Sequence, residues 1–129
     1  MSPRAGGLSL TALMLVLSFI FQLKMKLLAN ELTPLVTNSA SDLPSIIRAV
    51  TSIILSWRGA IILLLAGALF LIWLLVLTKL DLSAALPLVS VGLVINAVGS
   101  AFILGEDLSA GRAAGILLVA AGIALVLKS

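Results

Sequence analysis

The sequence predicts an all-α integral membrane fold, with four transmembrane helices and a short interfacial helix before the second. Of its 129 residues, 62% are hydrophobic and only 10% are charged, whereas a soluble domain is roughly half apolar and about a quarter charged. Four stretches have the length of about 20 residues that a helix needs to cross the hydrocarbon core. They lack the two-residue alternation of a barrel strand, and only helices and closed barrels satisfy the backbone inside lipid.

The predicted spans cover residues 8–29, 59–78, 83–104 and 111–127, which form a single four-helix domain. The first span begins like a secretory signal, but no clear small-residue cleavage site follows, so we expect it to be retained. The links KLDL and GEDLSA are short, which predicts antiparallel neighbours. Gly105 is expected to end the third span, and Ser109 is expected to cap the fourth.

The link between the first two spans is long and has two parts. It begins with TPLVTNSASD, a polar stretch that predicts turns, and ends with LPSIIRAVTSIILSW, in which Asp42 and Pro44 mark a helix start. Apolar residues recur there at helical spacing. A helix over 43–56 is too short to span, so an interfacial position is expected. The alternative is that this stretch extends the second span.

Composition also excludes several functions. The net charge is +3, but the basic residues are scattered and form no stripe that predicts nucleic-acid binding. The chain has no Cys and no His, and no acidic cluster, so no metal site and no cofactor are predicted. No nucleophile–base pair lies on the spans, and the chain is therefore not expected to be an enzyme.

A polar stripe runs along the first span. Ser18, Gln22 and Lys26 follow one another at a spacing of four, which places them on one side of a helix. Lys24 lies about 200° from Lys26 and so belongs to another face. A cation costs about 2.5–3.5 kcal/mol near the bilayer centre and less near a helix end. Lys24 is therefore expected to reach the interface, and Lys26 to face a polar groove and bind a phosphate. The alternative is that both lysines only mark the helix end.

The third and fourth spans carry small residues. Asn96 lies deep in the third span between Gly92 and Ser100 at a spacing of four, which predicts either a cavity wall or an interhelical hydrogen bond. Pro87 is expected to bend the start of that span and free a carbonyl. The fourth span contains GRAAG and further small residues, which predict close packing within one protomer or between two.

The segments FQLKMK, WLLVLTKLDLSAALPLVSVGLV and GEDLSAGRAAGILLVAAGIALVL together resemble the small four-helix branch of the drug/metabolite transporter superfamily. The resemblance is greatest to subunits of the aminoarabinose-phosphoundecaprenol flippase. It covers most of the chain except the N-terminus and residues 33–42. It implies transport of a polyisoprenyl-phosphate-linked sugar across a bacterial inner membrane by a homodimer or a heterodimer of related subunits. By position, Gln22 and Lys26 match the family's first helix, Pro87 and Ser90 its "YPLLS"-like segment, and Glu106 its "GE" turn.

Two departures from the family matter. Leu86 stands where the family usually has tyrosine, and the chain lacks the membrane-embedded glutamate of small multidrug resistance relatives, which argues against proton-coupled drug export. The leading hypothesis is a flippase or flippase subunit whose substrate phosphate binds near Lys26, Gln22 and Asn96. The alternatives are a multidrug or metabolite exporter of the same fold and a non-transporting membrane subunit of a glycosyltransferase system.

Overall fold

A computed structural model describes residues 3–38 and 42–129, and every regular element in them is an α-helix. The helices are α1 Pro3–Asn38, α2 Leu43–Ile54, α3 Trp57–Lys79, α4 Leu82–Leu104 and α5 Ala110–Lys128. All but α2 are long and apolar enough to cross a membrane. The predicted all-α, multi-pass architecture is confirmed for the described residues.

The first helix is longer than the span predicted within it. α1 has 36 residues, which corresponds to a length of about 54 Å, well above the roughly 30 Å of the hydrocarbon core. Turns were expected from Thr33 onward, but residues 33–38 are helical; the remainder of that predicted turn, 39–41, lies outside the described residues. The hydroxyls of Thr33 and Thr37 donate to the carbonyls of Ala29 and Thr33, both at 2.9 Å, so these side chains are satisfied inside the helix.

The stretch before the second span is a separate helix and does not extend that span. α2 ends at Ile54, and Leu55 and Ser56 separate it from α3. Asp42 occupies the N-cap position and Pro44 lies in the first turn, as predicted. α2 is the most amphipathic of the five helices. Its position at a membrane interface stays a prediction.

The chain divides into two compact units. We call residues 3–19 and 69–129 the terminal unit, and residues 20–38 and 42–68 the central unit. In the terminal unit α4 packs against α5, and the small core includes Val76, Ala85 and Thr11. Gly105 ends α4 in the left-handed conformation, at a φ of 63°, and Ser109 caps α5 by accepting a hydrogen bond from the Arg112 amide at 3.3 Å. Both predicted helix ends are confirmed.

In the central unit, the end of α2 lies directly against the first turn of α3. Gly59 is buried, and a Cβ atom there would overlap the backbone carbonyls of Ile53 and Ile54. Only glycine allows this approach. The Ser56 hydroxyl accepts a hydrogen bond from the Gly59 amide at 3.3 Å. These contacts fix the start of α3, where Trp57 and Arg58 lie.

The long helices expose most of their large apolar side chains. Phe102 is 84% exposed, and Leu64 and Leu118 are each 74% exposed. So many exposed large apolar side chains are typical of proteins that contact membrane or other subunits. The surface therefore supports a multi-pass membrane protein.

Candidate functional site

The central unit contains a pocket of about 570 Å³ between α1 and α3. This volume is within the usual range for small-molecule sites. Its polar lining residues are Lys24, Asn30, Glu31 and Arg58, together with Trp57. Its apolar lining residues are Leu27, Leu28, Ile61 and Ile62. The pocket thus brings charged and apolar side chains together.

Helical spacing explains the α1 side of this pocket. The lining residues at positions i, i+3, i+4 and i+7 are Lys24, Leu27, Leu28 and Glu31. This spacing places them on one face of the helix. Pro34 lies one turn further on and has no amide to donate to the Asn30 carbonyl. The pocket therefore lies at a point on α1 where charged side chains are close to the Asn30 carbonyl, which lacks the amide donor that a helix normally supplies.

An ion pair connects the two helices of the pocket. The Arg58 guanidinium donates to the Glu31 carboxylate, and the two side chains are 54% and 56% exposed. Exposed pairs of this kind contribute about 0–1 kcal/mol to stability, because water and salt screen them. Two cations and one carboxylate line the pocket, which leaves one excess positive charge. The start of α3 adds the partial positive charge of a helix N-terminus.

Of the two lysines predicted to have different roles in the first helix, Lys24 lines the pocket. That Lys24 reaches the membrane interface stays a prediction. Gln22 and Lys26 are exposed on another part of α1 and do not line the pocket. Lys26 already has an interaction partner within the protein. Binding of substrate by Gln22 and Lys26 stays a prediction.

The other predicted site residues belong to the terminal unit. The Ser18 and Ser90 hydroxyls each donate to a carbonyl of their own helix, Leu15 and Leu86, both at 2.9 Å. Each oxygen keeps its capacity to accept a hydrogen bond. Pro87 lies inside α4, which is continuous from Leu82 to Leu104; the bend predicted there stays a prediction.

Asn96 has a polar atom without a partner. Its Oδ1 atom is buried and accepts no hydrogen bond within the described residues. Leaving a buried acceptor unsatisfied costs about 1–3 kcal/mol, so such an atom requires an explanation. The nearby glycine Gly99 faces the ring of Phe19, so α4 meets an aromatic side chain of α1 there. The interhelical hydrogen bond predicted as one role of Asn96 does not involve this oxygen within the described residues.

Small residues on α5 are open within the protomer. A Cβ atom at Gly111, Gly115 or Gly122 would meet nothing within 4 Å. Among the described residues, the tight glycine contacts of the terminal unit instead include Gly7 with Leu80 and Gly99 with Phe19. The α5 glycines are therefore available for packing against a second subunit.

Arg58, Glu31 and Trp57 were not predicted from the sequence to belong to one site. Glu31 and Arg58 carry opposite charges just after the first predicted span and just before the second, and a pair could have been predicted from that signal. Comparison of the chain with known protein families, curated proteins and solved structures gives no match.

Proposed function

We propose that this protein is a flippase or flippase subunit that moves a polyisoprenyl-phosphate-linked sugar across the bacterial inner membrane. The observation that carries this proposal is the pocket of the central unit, which combines Lys24 and Arg58 with apolar side chains. A lipid phosphate presents an anion joined to hydrocarbon, so one such pocket can accommodate both parts. The sequence resemblance to four-helix flippase subunits supports the same substrate class.

The proposed path uses both polar faces of α1. The headgroup phosphate first binds in the pocket, where Arg58 and Lys24 offer charge-assisted hydrogen bonds. Ser18, Gln22 and Lys26 then give the headgroup a polar face along the helix. In the terminal unit, Ser90 and the unpartnered Oδ1 of Asn96 accept hydrogen bonds from sugar hydroxyls. The polyprenyl chain stays in the surrounding lipid.

The proposal includes a second subunit, identical or related. Four helices are too few to enclose a large polar headgroup, and Gly115 and Gly122 are open on α5. Close approach of small residues is a common basis of helix association in membranes. We expect Gly122→Leu to shift the monomer–dimer equilibrium toward monomer by about tenfold, or about 1.4 kcal/mol. Crosslinking in proteoliposomes measures this shift, and Gly67→Leu on α3 is the control; a dimer unaffected by Gly122→Leu would move the interface away from α5.

The transport proposal is tested in proteoliposomes that carry a polyprenyl-phosphate-linked sugar. A membrane-impermeant glycosidase is added outside, and the fraction of sugar it reaches is followed over time. We expect the protected inner fraction to become accessible faster with the protein than in empty vesicles. A phosphatidylcholine analogue serves as the control lipid and should not cross faster. Equal rates for the sugar lipid with and without protein would refute the flippase proposal.

One observation favours an exporter of the same fold as the second candidate. Glu31 is a carboxylate in the pocket beside apolar side chains, an arrangement that suits an organic cation. An exporter that exchanges protons for cations needs a carboxylate in its binding site, and Glu31 supplies one here. Loss of transport in Glu31→Gln, with folding intact, would favour the exporter. A flippase that uses Arg58 and Lys24 for the phosphate keeps transporting.

A further inference from the structure

The guanidinium of Arg58 is occupied by a carboxylate of the protein itself. Glu31 on α1 accepts its hydrogen bond across the pocket, and both side chains are about half exposed. Neither group is locked in a buried core. A ligand that enters the pocket therefore meets an arginine that is already paired but accessible.

Carboxylate and phosphate compete for arginine in the same geometry. The planar guanidinium presents parallel N–H groups that pair with two oxygens of either anion. Through its contact with Arg58 Nη1, the Glu31 Oε1 atom thus occupies one of the positions that a phosphate oxygen would take. Lys24 lies on the same pocket and offers a second cation. Arg58 lies in the first turn of α3, where the helix N-terminus adds partial positive charge.

We infer that Arg58 is the phosphate-binding group of this pocket and that Glu31 is a built-in competitor, which the incoming phosphate displaces. The inference rests on the proposed function for its ligand, a phosphate carried by a lipid. Phosphate binding then breaks one ion pair as it forms another, so the net affinity is lower than a free arginine would give.

The exposure of the ion pair sets the expected effects. Exposed pairs are weak, so removing the competitor by Glu31→Gln should raise phosphate affinity only about two- to fivefold. Removing the binding group by Arg58→Gln should lower affinity about ten- to a hundredfold, because a charge-assisted hydrogen bond is lost. If Glu31 instead only supported the shape of the pocket, Glu31→Gln would weaken binding. The sign of the change distinguishes the two roles.

The experiment uses the full chain in nanodiscs with Trp57 as the reporter. The protein has two tryptophans, so a Trp73→Phe background leaves the pocket indole as the single fluorophore. Polyprenyl phosphate is titrated in, and phosphatidylglycerol at equal charge is the lipid control. The variants are Glu31→Gln, Arg58→Gln and the double variant, each matched for helical circular dichroism. Asp42→Asn removes a negative charge outside the pocket and controls for net charge.

We expect tighter binding of polyprenyl phosphate in Glu31→Gln, no such change in Asp42→Asn, and no effect of Glu31→Gln once Arg58 is Gln. Two results would refute the claim that Glu31 competes with phosphate for Arg58. One is weaker binding of polyprenyl phosphate in Glu31→Gln, and the other is an increase in affinity that persists when Arg58 is also replaced. Binding that does not depend on Arg58 would overturn the inference and leave the flippase proposal standing. Inorganic phosphate is the second probe. If inorganic phosphate binds with the expected pattern and polyprenyl phosphate does not bind, the phosphate site is supported. The lipid ligand, and with it the proposed function, is then refuted.

Discussion

In the terminal unit a helix glycine meets a side chain, whereas in the central unit a helix glycine meets backbone. Gly99 faces the ring of Phe19, and Gly59 faces the carbonyls of Ile53 and Ile54. A ring can rotate away from an added methyl group, but two carbonyls at the end of a helix can move only with the chain that carries them. Replacing Gly59 of the central unit with a larger residue should therefore cost more stability than replacing Gly99 of the terminal unit.

The pockets of the two units differ in the sign of their charge. The pocket of the central unit is lined by two cations and one carboxylate. The terminal unit has a smaller pocket of about 370 Å³ between α4 and α5, lined by the carboxylates of Glu106 and Asp107 and the cation Arg112 among mostly apolar side chains. An anionic ligand is therefore matched better by the pocket of the central unit.

The largest expected effect is that of Gly59→Ala. The added Cβ overlaps backbone, so the α2–α3 junction must shift, at a cost of about 3 kcal/mol. The shift also displaces Arg58 and Trp57 from the pocket. Thermal unfolding in detergent, followed by circular dichroism, measures the loss of stability. We expect a lower midpoint and weaker binding of polyprenyl phosphate together.

Two glycines provide controls for that substitution. Gly67→Ala lies on the same helix, where a Cβ meets nothing within 4 Å, and alanine is the better helix former, so stability should hold or rise slightly. Gly99→Ala should cost less than Gly59→Ala, about 1 kcal/mol, because the Phe19 ring can adjust. A Gly59→Ala variant as stable as Gly67→Ala would show that the junction is looser than the structure indicates.

The helices could be predicted from the sequence better than the contacts between them. Hydropathy and length were enough to identify four long helices, and Gly105 and Ser109 identified the end of α4 and the start of α5, because these signals are local. No such signal marked the end of α1, which continues to Asn38. The pocket depends on where Lys24 and Arg58 meet, and these residues are separated by the end of α1, residues 39–41 and all of α2. No local sequence pattern specifies the path of that link, so the pocket could not be predicted from the sequence.

The second expected effect concerns the lysine pair. Lys24→Ala should weaken polyprenyl-phosphate binding about tenfold to thirtyfold, or about 1.5–2 kcal/mol, because Lys24 lines the pocket. Lys26→Ala should leave binding in the pocket nearly intact and slow transport, because Lys26 lies on the other polar face of α1. Nanodisc binding and proteoliposome transport measure the two effects separately.

The outcome decides between two locations of the primary phosphate site. If Lys26→Ala lowers affinity and Lys24→Ala does not, the headgroup binds first to the stripe of Ser18, Gln22 and Lys26, as the sequence predicted. Equal losses would indicate general attraction of anionic lipid to the end of the first span. Lys24→Arg and Lys26→Arg preserve charge and should recover part of any loss that is electrostatic.

The smallest expected effect compares the helix caps of the two units. The Ser109 hydroxyl accepts a hydrogen bond from the Arg112 amide, whereas the Asp42 side chain makes no capping hydrogen bond to α2. Ser109→Ala should therefore cost about 1 kcal/mol, and Asp42→Ala less than about 0.5 kcal/mol, the range of an ordinary surface substitution. Hydrogen exchange should reveal the first as faster exchange in the opening turn of α5. An equal cost for Asp42→Ala would mean that its carboxylate caps α2 in solution. The N-terminus of α2 would then be stabilised by a side-chain cap at Asp42, as the N-terminus of α5 is stabilised by the cap at Ser109.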